Sequence, residues 1–218
     1  MVAWLIVGLG SGLASAPGVV RVPFAGAITS IQVPDLDGTL VTPVASDGRK
    51  ATVLFFVMHE CPVANGYAPE INRIRSEYGD RGVRSFVVYI EDDLAPEKAR
   101  AHAREYGFSG GTNGLTVGTN GFTVGTVRDP SHLLVKVAGV TVSPEAAVLS
   151  ASGELLYRGR IDDRVAAFGQ RRVQPTRRDL RLALDAIVAG KSIPTRRTKA
   201  VGCYIPEITQ PRPDVRRK

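Results

Sequence analysis

The sequence contains little cysteine, since Cys61 and Cys203 are the only two in 218 residues. So few thiols exclude a fold held together by many disulfides and a zinc site made of four cysteines. Long apolar runs are missing as well, because the most apolar segment, residues 2–16, is shorter than the roughly 20 residues of a membrane-spanning helix. In an exported protein, two cysteines are still enough for a single bridge.

Aromatic residues interleaved with basic ones, a mark of nucleic-acid-binding surfaces, do not accompany the basic part of the chain. Residues 158–218 hold 16 Lys and Arg against 6 Asp and Glu, whereas residues 1–157 hold 12 against 15. The net charge of +7 is therefore concentrated toward the C-terminus, where it could attract nucleic acid, anionic lipid or an acidic protein. We interpret this region as a solvated basic face and predict no nucleic-acid partner.

Residues 1–16 resemble a secretory signal, because an apolar stretch ends in the small residues Ala14-Ser15-Ala16. The pattern predicts a periplasmic or secreted protein. The alternative is a cytoplasmic protein whose apolar N-terminal segment packs on the domain. Contact with a membrane is predicted only through this segment, if it is not cleaved. Residues 17–27 are interpreted as a linker.

Alternating strand and helix patterns predict an α/β fold. The continuous apolar run from Ala51 to Met58 has the length of a strand that is buried on both faces, and Val83 to Ile90 is predicted to be another buried strand. A helical pattern follows each run, and these helices are predicted to stop at Gly79 and Gly107. This order of elements favours a parallel sheet with helices on its faces.

The second half of the chain predicts a hairpin and a final helix. Residues 111–124 repeat a seven-residue unit with Asn-Gly pairs, which indicates an inserted loop with turns or a small hairpin. Strands from Pro144 to Leu149 and from Glu154 to Arg158 are separated by a short turn and are predicted to pair antiparallel. Thr176 is predicted to cap the last helix. The domain is taken as residues 28–205, followed by a disordered basic tail over residues 206–218.

Cys61 is the strongest candidate for chemistry, because it lies between a buried strand and the start of a helix. The first N–H groups of a helix lack internal partners and carry partial positive charge. A thiolate there is stabilised, so the pKa of the thiol falls and the sulfur becomes a nucleophile near neutral pH. Pro62 fits the first helical turn, which does not need its missing N–H. The alternative is a buried and inert cysteine.

The two residues before Cys61 affect its predicted reactivity in opposite ways. A cationic His59 would lower the pKa of the thiol, and a neutral His59 could accept its proton. His59 is equally compatible with a solvated loop residue. Glu60 would oppose thiolate formation by charge repulsion unless its side chain faces water.

The combination of a helix-capping Cys61, the pair Ala68-Pro69 eight residues on, and the segment Val142-Ser143-Pro144 resembles the thioredoxin-like superfamily. Its redoxin branch, the AhpC/TSA-like or peroxiredoxin-related exported bacterial proteins, is the most similar group. The resemblance implies a three-layer α/β/α fold with a central mixed sheet and a cis peptide bond before Pro144. It also implies that Pro144 shapes a substrate groove, and we predict that His59, Pro62, Ser143 and Pro144 bind the substrate there.

Cys203 follows Gly202 beyond the last helix, and the resembling proteins carry a similar Gly-Cys segment there. Thirteen residues separate Gly190 from Cys203, and an extended chain of that length spans about 43–47 Å. Contact with Cys61 is therefore permitted. If contact occurs, Cys203 is a resolving thiol that closes a disulfide with Cys61. Otherwise it is a free or intermolecular cysteine.

Departures from the family pattern decide between the possible activities. Ala64 stands where a thioredoxin-type dithiol has its second cysteine, and Met58 and Leu54 stand where a peroxiredoxin has Thr or Ser and Pro. We therefore predict a thiol–disulfide oxidoreductase with Cys61 as nucleophile. The alternatives are a peroxiredoxin-like peroxidase with antioxidant activity and a redox-silent binding module.

The predicted partners are a protein thiol or disulfide, or a peroxide, together with an external thiol reductant. No cofactor and no metal are predicted. Copper chaperones with a thioredoxin fold carry two cysteines separated by three residues, and Asn65 occupies the second of those positions here.

Overall fold

The computed structural model describes residues 28–45, 48–109, 115–117 and 123–208. Within these residues, a 3-10 turn at Ile28–Ser30 precedes four α-helices: α1 (Pro62–Gly79), α2 (Pro96–Glu105), α3 (Leu133–Ala138) and α4 (Asp179–Val188). The strands are β1 (Val33–Pro34), β2 (Leu40–Val41), β3 (Ala51–Val57), β4 (Val83–Tyr89), β5 (Leu115–Val117), β6 (Thr123–Arg128), β7 (Val142–Ser143), β8 (Glu145–Ser150), β9 (Leu155–Gly159), β10 (Val165–Ala167), β11 (Gln170–Arg171) and β12 (Cys203–Tyr204). The predicted signal segment, the linker and residues 209–218 lie outside the described residues.

Six strands form the central sheet in the order β5-β6-β4-β3-β8-β9. Strand β4 pairs in parallel with β3 and β6, while β5, β8 and β9 add antiparallel pairs. The sheet is therefore mixed, and the α/β thioredoxin-like fold that the resemblance predicts is confirmed.

Strands β3 and β4 are buried at every position because helices or loops cover both faces of the sheet. Along β3, Val53, Phe55 and Val57 pack with residues of α1, α2 and α4. The alternate residues Leu54 and Phe56 pack with α3 and with the N-terminal segment. Because successive side chains of a strand point to opposite faces of the sheet, β3 contributes to a hydrophobic core on each face. The sheet and the helices on its two faces form three layers.

The structure agrees with the prediction for the loop insertion and shows what satisfies the start of the helix that follows it. Strands β5 and β6 pair antiparallel across the repeated segment, as the hairpin interpretation expects, although residues 110–114 and 118–122 lie outside the described part. Asp129 accepts backbone hydrogen bonds from Leu133, Leu134 and Val135, so its carboxylate satisfies the free amino end of α3.

The predicted cap of the last helix is wrong. Helix α4 begins at Asp179 with Arg178 at its N-cap, and Thr176 lies before it. The hydroxyl and the backbone N–H of Thr176 both donate to the carboxylate of Asp163. That buried acid competes for the hydroxyl, and the hydrogen bond from Thr176 holds the pKa of Asp163 down at about 2.

The segment after α4 packs along the edge of the sheet instead of leaving it. Arg158 of β9 donates its N–H to the carbonyl of Arg196 at 2.9 Å and accepts from Thr198 at 3.1 Å. The Thr198 hydroxyl lies 2.7 Å from the Tyr157 hydroxyl and accepts from the Arg160 N–H at 3.0 Å. These bonds fix the direction in which the chain continues toward Cys203.

None of the helices in the described part of the chain combines the length and the apolar character needed to span a membrane.

Candidate active site

Cys61 is the N-cap residue of α1, in extended conformation, with Pro62 in the first turn. Its N–H donates to the Met58 carbonyl at 3.1 Å, and its carbonyl accepts from Asn65 at 2.9 Å. The sulfur therefore lies at the amino end of the helix, as the sequence predicts. The sequence did not determine whether Cys61 is accessible to solvent. In the structure the residue is only 1% exposed, so the site is buried.

Cys61 and Cys203 form a disulfide between residues 142 positions apart, with their Cα atoms at 6.2 Å. Of the two alternatives for Cys203, the structure therefore shows the one in which the tail reaches Cys61. Unlike Cys61, Cys203 is partly exposed.

The Ser143–Pro144 peptide bond is cis, as the resemblance predicts. The Ser143 hydroxyl accepts the Met58 N–H at 2.8 Å, and the Ser143 carbonyl oxygen lies 3.2 Å from Sγ of Cys61. Ser143 and Pro144 are both buried. These contacts bring the loop before α1 and the strand β7 together at the disulfide.

The tail strand β12 pairs antiparallel with β7, with Cys203 opposite Ser143 and Tyr204 opposite Val142. The Ile205 N–H extends the ladder to the Thr141 carbonyl at 3.1 Å. The chain's own tail thus occupies the edge of the predicted substrate groove in the disulfide form.

Gly202 makes this close approach possible. A Cβ atom at Gly202 would overlap the carbonyl oxygen of Ser143 and would lie 2.6 Å from its carbonyl carbon. The atoms that the Cβ would meet belong to the backbone, so no flexible side chain can move away to make room. The tail therefore reaches Ser143 only because residue 202 has no side chain.

His59 is held by a carboxylate that the sequence did not assign to the site. The backbone N–H of His59 donates to Oε1 of Glu91 at 2.6 Å, and its Nδ1 lies 2.8 Å from the same oxygen. Glu91 follows β4, whose carboxyl end meets that of β3 in the parallel pair. The His59 ring thus lies against the carboxylates of Glu91 and Glu60 and makes an edge-on contact with the His102 ring. The Glu60 side chain is 84% exposed, so water screens its charge.

The sequence also contained no signal of a buried hydrogen-bond network that supports the loop before α1. Asn65 Nδ2 donates to the His59 carbonyl at 2.9 Å, which turns its oxygen toward Nε2 of His102 at 3.0 Å. His102 Nε2 must then donate, so its Nδ1 accepts from the Tyr89 hydroxyl at 2.6 Å. Burial, with a smaller effect of His59, lowers the pKa of His102 to about 4. A neutral His102 therefore supports the Cys61 loop through Asn65.

The stability of the protein should depend on pH through His102. The folded state holds the imidazole neutral down to about pH 4, whereas the unfolded chain binds the proton below about 6.5. The stabilisation is therefore full above pH 6.5 and is lost as the pH falls toward 4, by up to about 3 kcal/mol. We expect urea unfolding of His102→Gln to show a shallower decline between pH 7 and pH 4 than the wild type. Parallel declines would contradict the assigned neutral state.

The described residues include no group of three or more His, Cys, Asp or Glu that could hold a metal ion.

Pro62, predicted to face substrate, is exposed and lines a cavity of about 210 Å³ together with Tyr67 and Val165.

The Redoxin family model matches residues 24–169, which include Cys61 and the cis-proline segment. The chain belongs to the Redoxin family. Cys203 and the docked tail lie beyond the matched residues, so the family match includes Cys61 but not the second cysteine. No relative among the curated proteins matches the chain.

Two solved structures share the fold over most of their length. A hypothetical protein of Sinorhizobium meliloti 1021 is 22% identical with a TM-score of 0.65, covering 80% of this chain and 89% of its own. An uncharacterized conserved protein of Geobacillus kaustophilus is 21% identical with a TM-score of 0.63, covering 83% and 89%. A secreted Mycobacterium tuberculosis disulfide oxidoreductase homologous to E. coli DsbE matches at a TM-score of 0.47 and 15% identity, covering 75% and 98%.

Proposed function

We propose that this Redoxin-family protein is a thiol–disulfide oxidoreductase in which Cys61 attacks and Cys203 resolves. The observation that carries the proposal is the disulfide between a helix-capping cysteine and a cysteine on the docked tail. A purely structural bridge would not need one of its sulfurs at a helical amino end, where a thiolate is stabilised.

The proposed cycle begins with the reduced protein. The Cys61 thiolate attacks a disulfide of a protein substrate and releases one substrate thiolate, which takes a proton from water. The Cys203 thiolate then attacks Sγ of Cys61, closes the observed disulfide and releases the second substrate thiolate. Two electrons thus pass from the pair to the substrate, and an external dithiol must return them.

The substrate groove is proposed at β7. When the pair is reduced, the tail strand is no longer tied to Cys61, and the backbone of Ser143 becomes available to an extended substrate segment. Addition of a strand to an open sheet edge is a common way to bind peptides. His59, Pro62 and Pro144 would border that segment.

Peroxide reduction is the weaker alternative. Leu54 is fully buried, and Met58 offers no hydroxyl to orient a peroxide three residues before the nucleophile. The Met58 N–H is also engaged, because it donates to the Ser143 hydroxyl. Disulfide exchange does not require those groups.

Export to the cell envelope is part of the proposal and depends on residues 1–16 acting as a signal. Disulfide exchange is typical of such oxidising compartments. Mature protein that begins near residue 17 in an extracytoplasmic fraction would support it. Full-length protein confined to the cytoplasm would contradict it.

Turnover of two substrates tests the proposed activity. The purified protein, with excess dithiothreitol, should accelerate reduction of insulin disulfides more than it accelerates consumption of hydrogen peroxide. Acceleration of peroxide consumption alone would favour the peroxidase. If neither reaction is accelerated, the binding module becomes the better interpretation.

A further inference from the structure

The two cysteines of the disulfide differ in exposure. Cys61, the N-cap of α1, is 1% exposed, whereas Cys203 on the tail is partly exposed. A thiolate must reach the sulfur that it attacks along the line of the bond that breaks. We propose that the protein dithiol that reduces this pair docks in a groove beside Cys203 and attacks that sulfur. The inference rests on the proposed function.

The groove lies directly against the tail. It is a cavity of about 360 Å³ whose wall includes Gly202 and Tyr204, the two chain neighbours of Cys203. Val142 of β7 and the segment around Phe168, after β10, form other parts of the wall. We call this cavity the Cys203 groove. Cys203 itself packs against the core between these two neighbours, so a segment seated in the groove contacts the residues on either side of the cysteine.

Exposed aromatic side chains mark the Cys203 groove as a protein-binding surface. Among the large apolar side chains that are exposed in the described residues, the two aromatic ones are Phe168, at 63%, and Tyr204, at 80%. Both line the groove. Exposed aromatics are enriched at protein interfaces because they bury a large area at a small cost in side-chain entropy.

The charges around the Cys203 groove indicate which partner fits it. Its charged lining residues are Arg160 and Lys199, and both are basic. Arg160 is bonded to Asp179 at 2.7 Å, while Lys199 is exposed. A partner whose thiol is bordered by acidic side chains is therefore favoured over a basic one.

The position of Cys61 also favours this direction of attack. Thiol–disulfide exchange is faster when the departing thiol has a low pKa, and the departing sulfur here would be Cys61 at the amino end of α1. The partner thiolate forms a bond to Cys203 Sγ, and the Cys61–Cys203 bond breaks with its electron pair on Cys61. A second partner thiolate then attacks the partner sulfur, forms the partner disulfide and releases Cys203 as a thiolate.

A trapping experiment identifies the attacked sulfur. The oxidised wild-type protein is mixed with a thioredoxin-type protein whose active site is Cys-X-X-Ser, quenched early with acid, alkylated with N-ethylmaleimide and mapped by mass spectrometry. We expect the trap on Cys203 and the alkyl group on Cys61. The trap on Cys61 at the earliest times would overturn the inference.

Variants of the Cys203 groove test docking separately. Phe168→Ala and Tyr204→Ala should each slow reduction by an intact thioredoxin-type dithiol at least about tenfold. Both variants should react with dithiothreitol at the wild-type rate, because a small dithiol does not need the groove. Leu40→Ala is the control, since Leu40 is 60% exposed and does not line the groove.

Two different results would contradict the docking site and the proposed oxidoreductase function. Unchanged rates of both groove variants with the protein dithiol would overturn the docking site even if Cys203 is attacked. If wild-type protein exchanges with neither the protein dithiol nor dithiothreitol, the proposed oxidoreductase function itself fails.

Discussion

Replacing Gly202 with alanine is expected to prevent most of the Cys61–Cys203 disulfide from forming. The new Cβ would overlap the Ser143 carbonyl, and the nitrogen of Pro144 would lie 3.1 Å away. Because these obstacles are backbone atoms, the tail would have to leave β7, and Cys203 would leave with it. Overpacking of this kind typically costs about 1–3 kcal/mol, which the short β12–β7 pairing has little capacity to offset. Peptide mapping without reductant, after mild oxidation, measures the bridged fraction.

Gly79→Ala is the matched control for that experiment. Gly79 lies at the end of α1, and a Cβ built there meets no atom within 4 Å. Its bridged fraction should equal that of the wild type. A Gly202→Ala protein that forms the bridge as completely as the control would contradict the packing described for the tail.

The largest loss of activity is expected from Cys61→Ser. A serine hydroxyl at the start of α1 stays protonated near neutral pH and is a poor nucleophile toward disulfides, so turnover should fall at least about 1,000-fold. Cys203 cannot replace it, because it lies on the tail and not at a helix terminus. Insulin reduction with excess dithiothreitol measures the loss.

Cys203→Ser should give a different defect. Cys61 retains its position, so the first attack proceeds, but no second thiol releases the substrate. Oxidised substrate should then accumulate as a mixed disulfide on Cys61, visible by intact mass at one equivalent per chain. Rapid release of the substrate by Cys203→Ser would show that Cys203 is not the resolving thiol. For the first variant, turnover by Cys61→Ser equal to that of the wild type would show that Cys61 is not the nucleophile.

Much of the fold follows from local sequence. The run that begins at Ala51 has apolar side chains on both faces of its strand, so both faces must be covered. In the structure each face packs in its own hydrophobic core. Cys61 and Pro62 mark the beginning of α1 correctly because strand exit and helix entry leave short-range signals. The predicted hairpin from β8 to β9 is confirmed for the same reason.

Contacts between distant segments could not be predicted in this way. Thr176 has the residue type of a helix cap, yet the buried carboxylate of Asp163 takes its hydroxyl. The hydrogen bonds of His102 depend on Asn65 and Tyr89, which belong to other elements. Chain length permitted contact between Cys203 and Cys61 without requiring it, because the hydrogen bonds that guide the tail along β9 leave no periodic signal.

The reduction potential of the Cys61–Cys203 pair distinguishes a catalytic cysteine pair from a structural bridge. Structural disulfides typically lie below about −300 mV, whereas the pairs of thiol oxidoreductases lie between about −270 and −120 mV. Equilibration with glutathione and dithiothreitol buffers, followed by acid quench and alkylation, gives the bridged fraction at each potential. We expect a midpoint between about −270 and −120 mV. A pair that stays fully bridged below about −300 mV would instead be a structural bridge.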